Sequence, residues 1–202
     1  MAAPQDTARQ PRPTLDELER GTTTAAALAF FDARPAVPVD AVAGAWRGSG
    51  LPTGHPLDGV LEALGWSGKR FGPGHDAHPL LFDDGRGGTI DVNPAFVPLP
   101  LVLRCARLLR SPRVAWAVRA LLPLARTRRP RARLRAVVHR GVTTATMSYD
   151  ALPVDDVFRA VDDDTLVGLM EARGMGRPFF FVLRRTVRDD GQDTLPWSSR
   201  RQ

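Results

Sequence analysis

A single cysteine, Cys105, stands among the 202 residues, so an internal disulfide framework is excluded. One thiol fits a reducing compartment, and its simplest role is that of a small buried hydrophobe. Long apolar runs are missing too. The most apolar region, residues 96–124, is broken by Arg104, Arg107, Arg110, Arg113 and Arg119. No run reaches the roughly 18 residues of a membrane span. The opening "MAAPQDTARQPRPT" lacks the apolar core of about 7–15 residues that a signal peptide needs. These absences lead us to expect a cytoplasmic protein, peripheral to a membrane at most.

Lysine is scarce, and acid is absent where base is densest. The net charge of +6 rests on 27 arginines and one lysine, Lys69, a skew that fits codon bias in a GC-rich genome. Between Asp91 and Asp150, 58 residues carry 12 arginines and no Asp or Glu. Such a stretch attracts phospholipid head groups, nucleic acid or an acidic partner. On a helical wheel Arg104, Arg107, Arg119, Arg126 and Arg129 fall within about 120° of one another. They are the expected contacts with an anionic membrane; the plain alternative is the solvated edge of a helical pair. Nucleic acid is the weaker partner, because no recognition module is visible.

What is present is mostly β. Residues 1–13 read as a disordered tail and 189–202 as a flexible one. Thr14-Leu15-Asp16-Glu17 has the pattern of a capping box, and "TTTAAALAFFDAR" continues as a second helix ending before Pro35. Strands are expected near 42–49, 65–71, 79–83 and 88–92, with a hairpin through Asp84-Gly85. Residues 98–110 and 113–126 form a helical interlude split by Pro112. "RARLRAVVH" then alternates Ala132, Leu134, Ala136 and Val138 against arginines, and a meander of about five strands runs to 187. The strands total about nine, which suggests an interior wide enough for a cavity. Residues 14–188 are read as one domain: 14–95, a helical insertion at 96–129, and a β-meander from 130.

No catalytic constellation emerges. His75 and His78 are spaced for a metal on a helix, with Asp83 or His55 as further ligands, but Gly72-Pro73-Gly74 and Pro79 make that segment a loop. Ser49, Ser67, His55 and Asp58 do not sit in a nucleophile motif. "SGKR" lacks the glycine and Ser/Thr of a phosphate loop. Asp162-Asp163-Asp164 lacks calcium-loop spacing and reads as a wet turn, and Asp155-Asp156 reads as a solvated loop. No metal and no cofactor is expected.

The stretch "AGAWRGSG" is the most distinctive. Gly44, Trp46 and Gly48 share one face of a strand, where the indole can plug the narrow end of a barrel and Arg184 or Arg185 can stack on it. A Gly-x-Trp first strand with an arginine ending the last strand resembles the lipocalin and fatty-acid-binding (calycin) barrels. Residues 43–71 resemble the GXWXG family, and 131–185 resemble the domain of unknown function that commonly follows it in actinobacterial proteins. The resemblance implies a calycin-like antiparallel β-barrel with an N-terminal helix and an inserted helical pair. It implies no settled activity.

The apolar inventory points to a hydrophobic ligand, such as a fatty acid or other lipid, in the barrel. Trp46, Trp66, Phe71, Met147, Met170 and Phe180 are its expected apolar contacts. His55, Lys69, Arg135 and Tyr149 are the polar ones. Two other readings stand beside it. One is an enzyme acting on a lipid or acyl substrate in the same cavity, with His55, His78 or Asp156 moving protons. The other is a membrane-surface or partner-binding module that uses the arginine helices.

Overall fold

A computed structural model of the chain describes residues 13–187; the expected tails fall outside the described residues, apart from residue 13. Thr14 opens α1 (Leu15–Glu19). Its hydroxyl accepts from the Glu17 N–H at 3.4 Å, and the Glu17 carboxylate accepts the Thr14 N–H at 2.8 Å, a reciprocal cap. Thr23 caps α2 (Thr24–Asp32) from one side only, its hydroxyl accepting the Ala26 N–H at 3.1 Å. A 3₁₀ turn (Val39–Val42) leads into β1 (Gly44–Gly50), followed by α3 (Val60–Ala63), β2 (Trp66–Phe71), β3 (Asp76–Asp83) and β4 (Thr89–Asp91). The helical interlude is α4 (Leu99–Arg104), α5 (Ala106–Leu109) and α6 (Pro112–Leu121). Five strands complete the chain: β5 (Ala132–His139), β6 (Val142–Tyr149), β7 (Val154–Asp162), β8 (Thr165–Ala172) and β9 (Phe179–Val187).

All strands but β4 close into an antiparallel barrel of eight, in the order β1-β9-β8-β7-β6-β5-β3-β2, with β2 pairing back onto β1. Closure leaves these strands no free edge along most of their length. β4 pairs only with β3, so the ninth strand does not widen the interior, contrary to the expectation from the strand count. An eight-stranded barrel is narrow enough for side chains to fill it.

One seam is thin. β3 pairs with β5 at only two positions, Asp76↔Arg133 and Ala77↔Ala132, and further along it pairs with β4 instead. Pro79 lies just past the point where the β3–β5 ladder stops, and proline has no N–H to extend it. The chain between β4 and β5, which includes the three cap helices, leaves and re-enters the sheet at this gap.

Two cores flank the barrel wall. Inside lie Trp46, Phe71, Met147, Phe158, Phe181 and Leu183. Outside, α1 and α2 bury Leu18, Phe30 and Phe31 against Val157, Leu169, Phe180 and Val182. The period of two along β9 sorts its aromatics: Phe179 and Phe181 point inward, Phe180 outward under Phe31 at 6.4 Å between centroids. The expected alternation in β5 holds for Ala132 and Leu134, which are buried. It fails for Ala136 and Val138, which are exposed because that end of the β5–β6 hairpin extends beyond the part of β6 that pairs with β7.

Candidate functional site

The first strand shows what the glycine-tryptophan pattern does. Trp46 is buried, its Nε1–H donates to the Val42 carbonyl at 2.8 Å, and the Arg185 guanidinium stacks on its ring at 4.0 Å from the centroid. Arg185 also donates to the Ala43 and Ala41 carbonyls, which ties the last strand to the 3₁₀ turn before the first. Arg184, on the other face, makes a two-pronged pair with Glu19 of α1. At Gly48 a Cβ would lie 2.2 Å from the Trp66 indole, so only glycine leaves room for that ring. At Gly68 (φ +142°) a Cβ would lie 1.9 Å from the Trp46 carbonyl oxygen, because β1 and β2 approach there. Trp46, Phe71 and Met147 therefore help to fill the barrel around and beside this plug, and none of the three borders the cavity described next.

Register shifts on both sides of Gly68 re-phase β2 against β3. As a result Trp66 and Lys69, three residues apart, both face inward. Lys69 is the only lysine of the chain and Tyr149 the only tyrosine, and the barrel brings them together. The Lys69 Nζ lies 2.7 Å from Asp156 Oδ2, 3.3 Å from the Tyr149 hydroxyl and 3.2 Å from the Pro79 carbonyl. Tyr149 donates to the same Asp156 Oδ2 at 3.2 Å. Lys69 is 3% exposed and Asp156 not at all. Burial pushes the Asp156 carboxyl above the ordinary aspartate value, against the pull of Lys69 and Tyr149. Burial, and then the Asp156 charge, push the Tyr149 phenol well above its ordinary value. Asp156 Oδ1 and Trp66 Nε1 are both buried without a hydrogen-bond partner.

This cluster lines a cavity of about 80 Å³ whose other walls are apolar, among them Leu57, Leu80, Met170, Phe179 and Phe181. Val97, Leu99 and Val102 cover it from the cap segment. Of the expected ligand contacts, Trp66, Lys69, Tyr149 and Met170 border this cavity. Phe180 lies outside the barrel for the reason given above. Arg135 is exposed, because it sits on the outward parity of β5 between buried Leu134 and the projecting hairpin end. The solvated loop expected at Asp155-Asp156 is instead part of β7, where only alternate residues face in: Asp155 accepts from Ser148 at the surface, while Asp156 faces the cavity. The added contacts Leu57, Leu80 and Phe179 gave no polar signal in the sequence.

The histidines sit elsewhere. His55 is buried against Phe179, 5.5 Å between ring centroids, and its Nδ1 accepts the Leu57 N–H at 3.1 Å. It lines a polar groove with Asp58, Arg104, Arg107 and Arg177. His78 Nδ1 lies 3.2 Å from Asp91 Oδ2, and His75 Nε2 lies 2.9 Å from Asp40 Oδ1, so the two imidazoles diverge to different carboxylates. Among the described residues no group of three or more His, Cys, Asp or Glu is placed to hold a metal. Cys105, expected to be buried, is partly exposed at the break between α4 and α5. Asp163 and Asp164 form the turn between β7 and β8, and Asp162 is the last residue of β7.

Desolvation depresses the His55 imidazole below its ordinary value of 6.5, with Asp58 opposing. The unfolded chain therefore takes up a proton at His55 before the folded one does. Stability from this group is fully present above pH 6.5 and is lost as the pH falls below it, at no more than about 1.4 kcal/mol per pH unit. Urea midpoints measured between pH 8 and pH 5 should fall on the acid side, and less steeply in His55→Asn. Parallel curves would remove His55 as the source.

The architecture is thus a capped eight-stranded barrel with one polar cluster in an otherwise apolar cavity. Two family profiles match the chain: "GXWXG protein" over residues 29–87 and "Domain of unknown function (DUF4334)" over residues 130–185. A crystal structure of a protein from Thermomonospora curvata is similar, with 31% identity and a TM-score of 0.59 over 81% of this chain and 87% of that one. The chain belongs to the family that joins a GXWXG region to a DUF4334 domain. No curated protein matches it. No helix among the described residues is long and apolar enough to cross a membrane.

Proposed function

We propose that the barrel binds and carries a hydrophobic small molecule of the lipid class, a fatty acid or another lipid. The observation that carries this reading is the apolar cavity with a single polar cluster at its wall. A cluster of that kind is a poor choice for a solid core, where apolar residues of similar volume are often as stable or more so. Small-molecule pockets typically measure about 300–1,000 Å³. A lipid must therefore enlarge this cavity of about 80 Å³ by displacing the cap. The cap is suited to yield. α4 and the 3₁₀ turn after α6 contain no buried residue, and α5 and α6 bury only Ala106 and Ala115. Segments with so little buried area are the first to open.

The same segment supports a membrane-facing portal. Six large apolar side chains between Phe96 and Leu124 are exposed, among them Trp116 at 74% and Leu124 at 84%. Arg104, Arg107, Arg119, Arg126 and Arg129 are exposed around them, with no acid in the segment. Apolar anchors ringed by cations match an anionic lipid surface, where each Arg adds about 1 kcal/mol. Such a carrier would approach the membrane from the cytoplasm. The test is transfer of a fluorescent lipid from protein to vesicles. Transfer should be faster to anionic than to neutral vesicles, slow as salt is raised, and lose the preference in Arg104→Glu/Arg107→Glu/Arg126→Glu. Equal rates to both vesicle types overturn the portal; absence of any lipid binding overturns the carrier.

Of His55, His78 and Asp156, the groups expected to move protons in an enzyme acting on an acyl substrate, only Asp156 borders the cavity, and a turnover assay with acyl esters tests that rival directly.

A further inference from the structure

The ion pair in the cavity bears on which lipid it takes. Lys69 has three N–H donors, and three acceptors stand around it: Asp156 Oδ2, the Tyr149 hydroxyl and the Pro79 carbonyl. None remains for a ligand. Its charge is matched by Asp156, so the cluster presents no net positive charge to the cavity, whichever of the two holds the proton. The groups left over are an acceptor, Asp156 Oδ1, and a donor, the Trp66 Nε1–H. Lys69, Asp156 and Tyr149 are the titratable residues that border the cavity.

A carboxylate head group fits this arrangement badly. It would bring a second negative charge against Asp156 Oδ1, and it has no proton to donate there. A hydroxyl fits: its O–H donates to Asp156 Oδ1, and its oxygen can accept from an N–H such as that of Trp66. We propose that the ligand is an uncharged lipid bearing a hydroxyl, a long-chain or cyclic alcohol, and not a fatty-acid anion. The proposal rests on the lipid-binding reading above and narrows it.

The experiment is competition against a fluorescent apolar probe by hexadecanol, palmitate and hexadecane at pH 8. The native protein should prefer hexadecanol over both others by about tenfold or more, the scale of one hydrogen bond to a charged group. In Lys69→Met/Asp156→Leu, which leaves no buried charge unpaired, the advantage of the alcohol over the alkane should vanish. Trp66→Phe deletes the indole N–H and trims the ring, and should lower the preference for the alcohol over the alkane several-fold. Palmitate binding as tightly as hexadecanol, or hexadecane matching it in the native protein, overturns the hydroxyl assignment and leaves the carrier standing. Failure of the native protein to bind the probe and all three competitors overturns both.

Discussion

Replacing Trp46 by alanine is expected to lower the free energy of unfolding by about 3–5 kcal/mol, the range for truncating a large aromatic in a core. In a chain of this size that corresponds to a fall of roughly 6–20 °C in Tm. Three losses coincide at the site. The indole leaves a void among buried neighbours, the Val42 carbonyl loses its 2.8 Å donor, and Arg185 loses the ring on which it stacks at 4.0 Å. Trp46→Phe narrows them, because it keeps a ring for Arg185, removes the N–H and leaves a much smaller void than alanine does. Its cost should be smaller, about 1–3 kcal/mol, as for a buried carbonyl left unpaired. An unchanged thermal midpoint in Trp46→Ala would mean that the first strand does not depend on the plug.

The plug was readable from the sequence because a strand with period two and a Gly-x-Trp-x-Gly spacing leaves few places for the indole. Which arginine meets it was not, since Arg184 and Arg185 are adjacent and only the register of β9 against β1 decides. The strand positions were legible for the same reason as the plug: hairpin glycines and alternation are local signals. Three features were not local. β4 looks like any other strand, yet pairs on one side only, so strand number overstated the width of the barrel. The face of Phe180 depends on a single-residue phase, and Phe179-Phe180-Phe181 offers no polar residue to set it. Lys69 illustrates the third. Strict alternation from Trp66 would turn its side chain outward, and the irregularity at Gly68 that turns it inward arises from how β2 meets β1 and β3. The cluster in the cavity thus joins residues whose orientation no single stretch specifies.

The Lys69–Asp156 pair provides the sharpest thermodynamic test. Removing one partner alone, as in Lys69→Met or Asp156→Leu, leaves the other ionisable group buried and uncompensated, and should cost about 3–5 kcal/mol. The double variant removes both and restores an apolar wall. It should recover most of that loss, and a strongly non-additive cycle follows, because the two groups lie 2.7 Å apart with almost no access to water. The pH dependence has a definite sign. Asp156 has its carboxyl pushed up by burial in the folded chain, so its contribution to stability is fully present below the ordinary aspartate value of 3.8 and is lost as the pH rises through the folded value. Asp156→Leu in the Lys69→Met background should therefore gain more stability at pH 8 than at pH 4, as read from urea midpoints. Additive single costs would show that the two groups do not interact in the folded state.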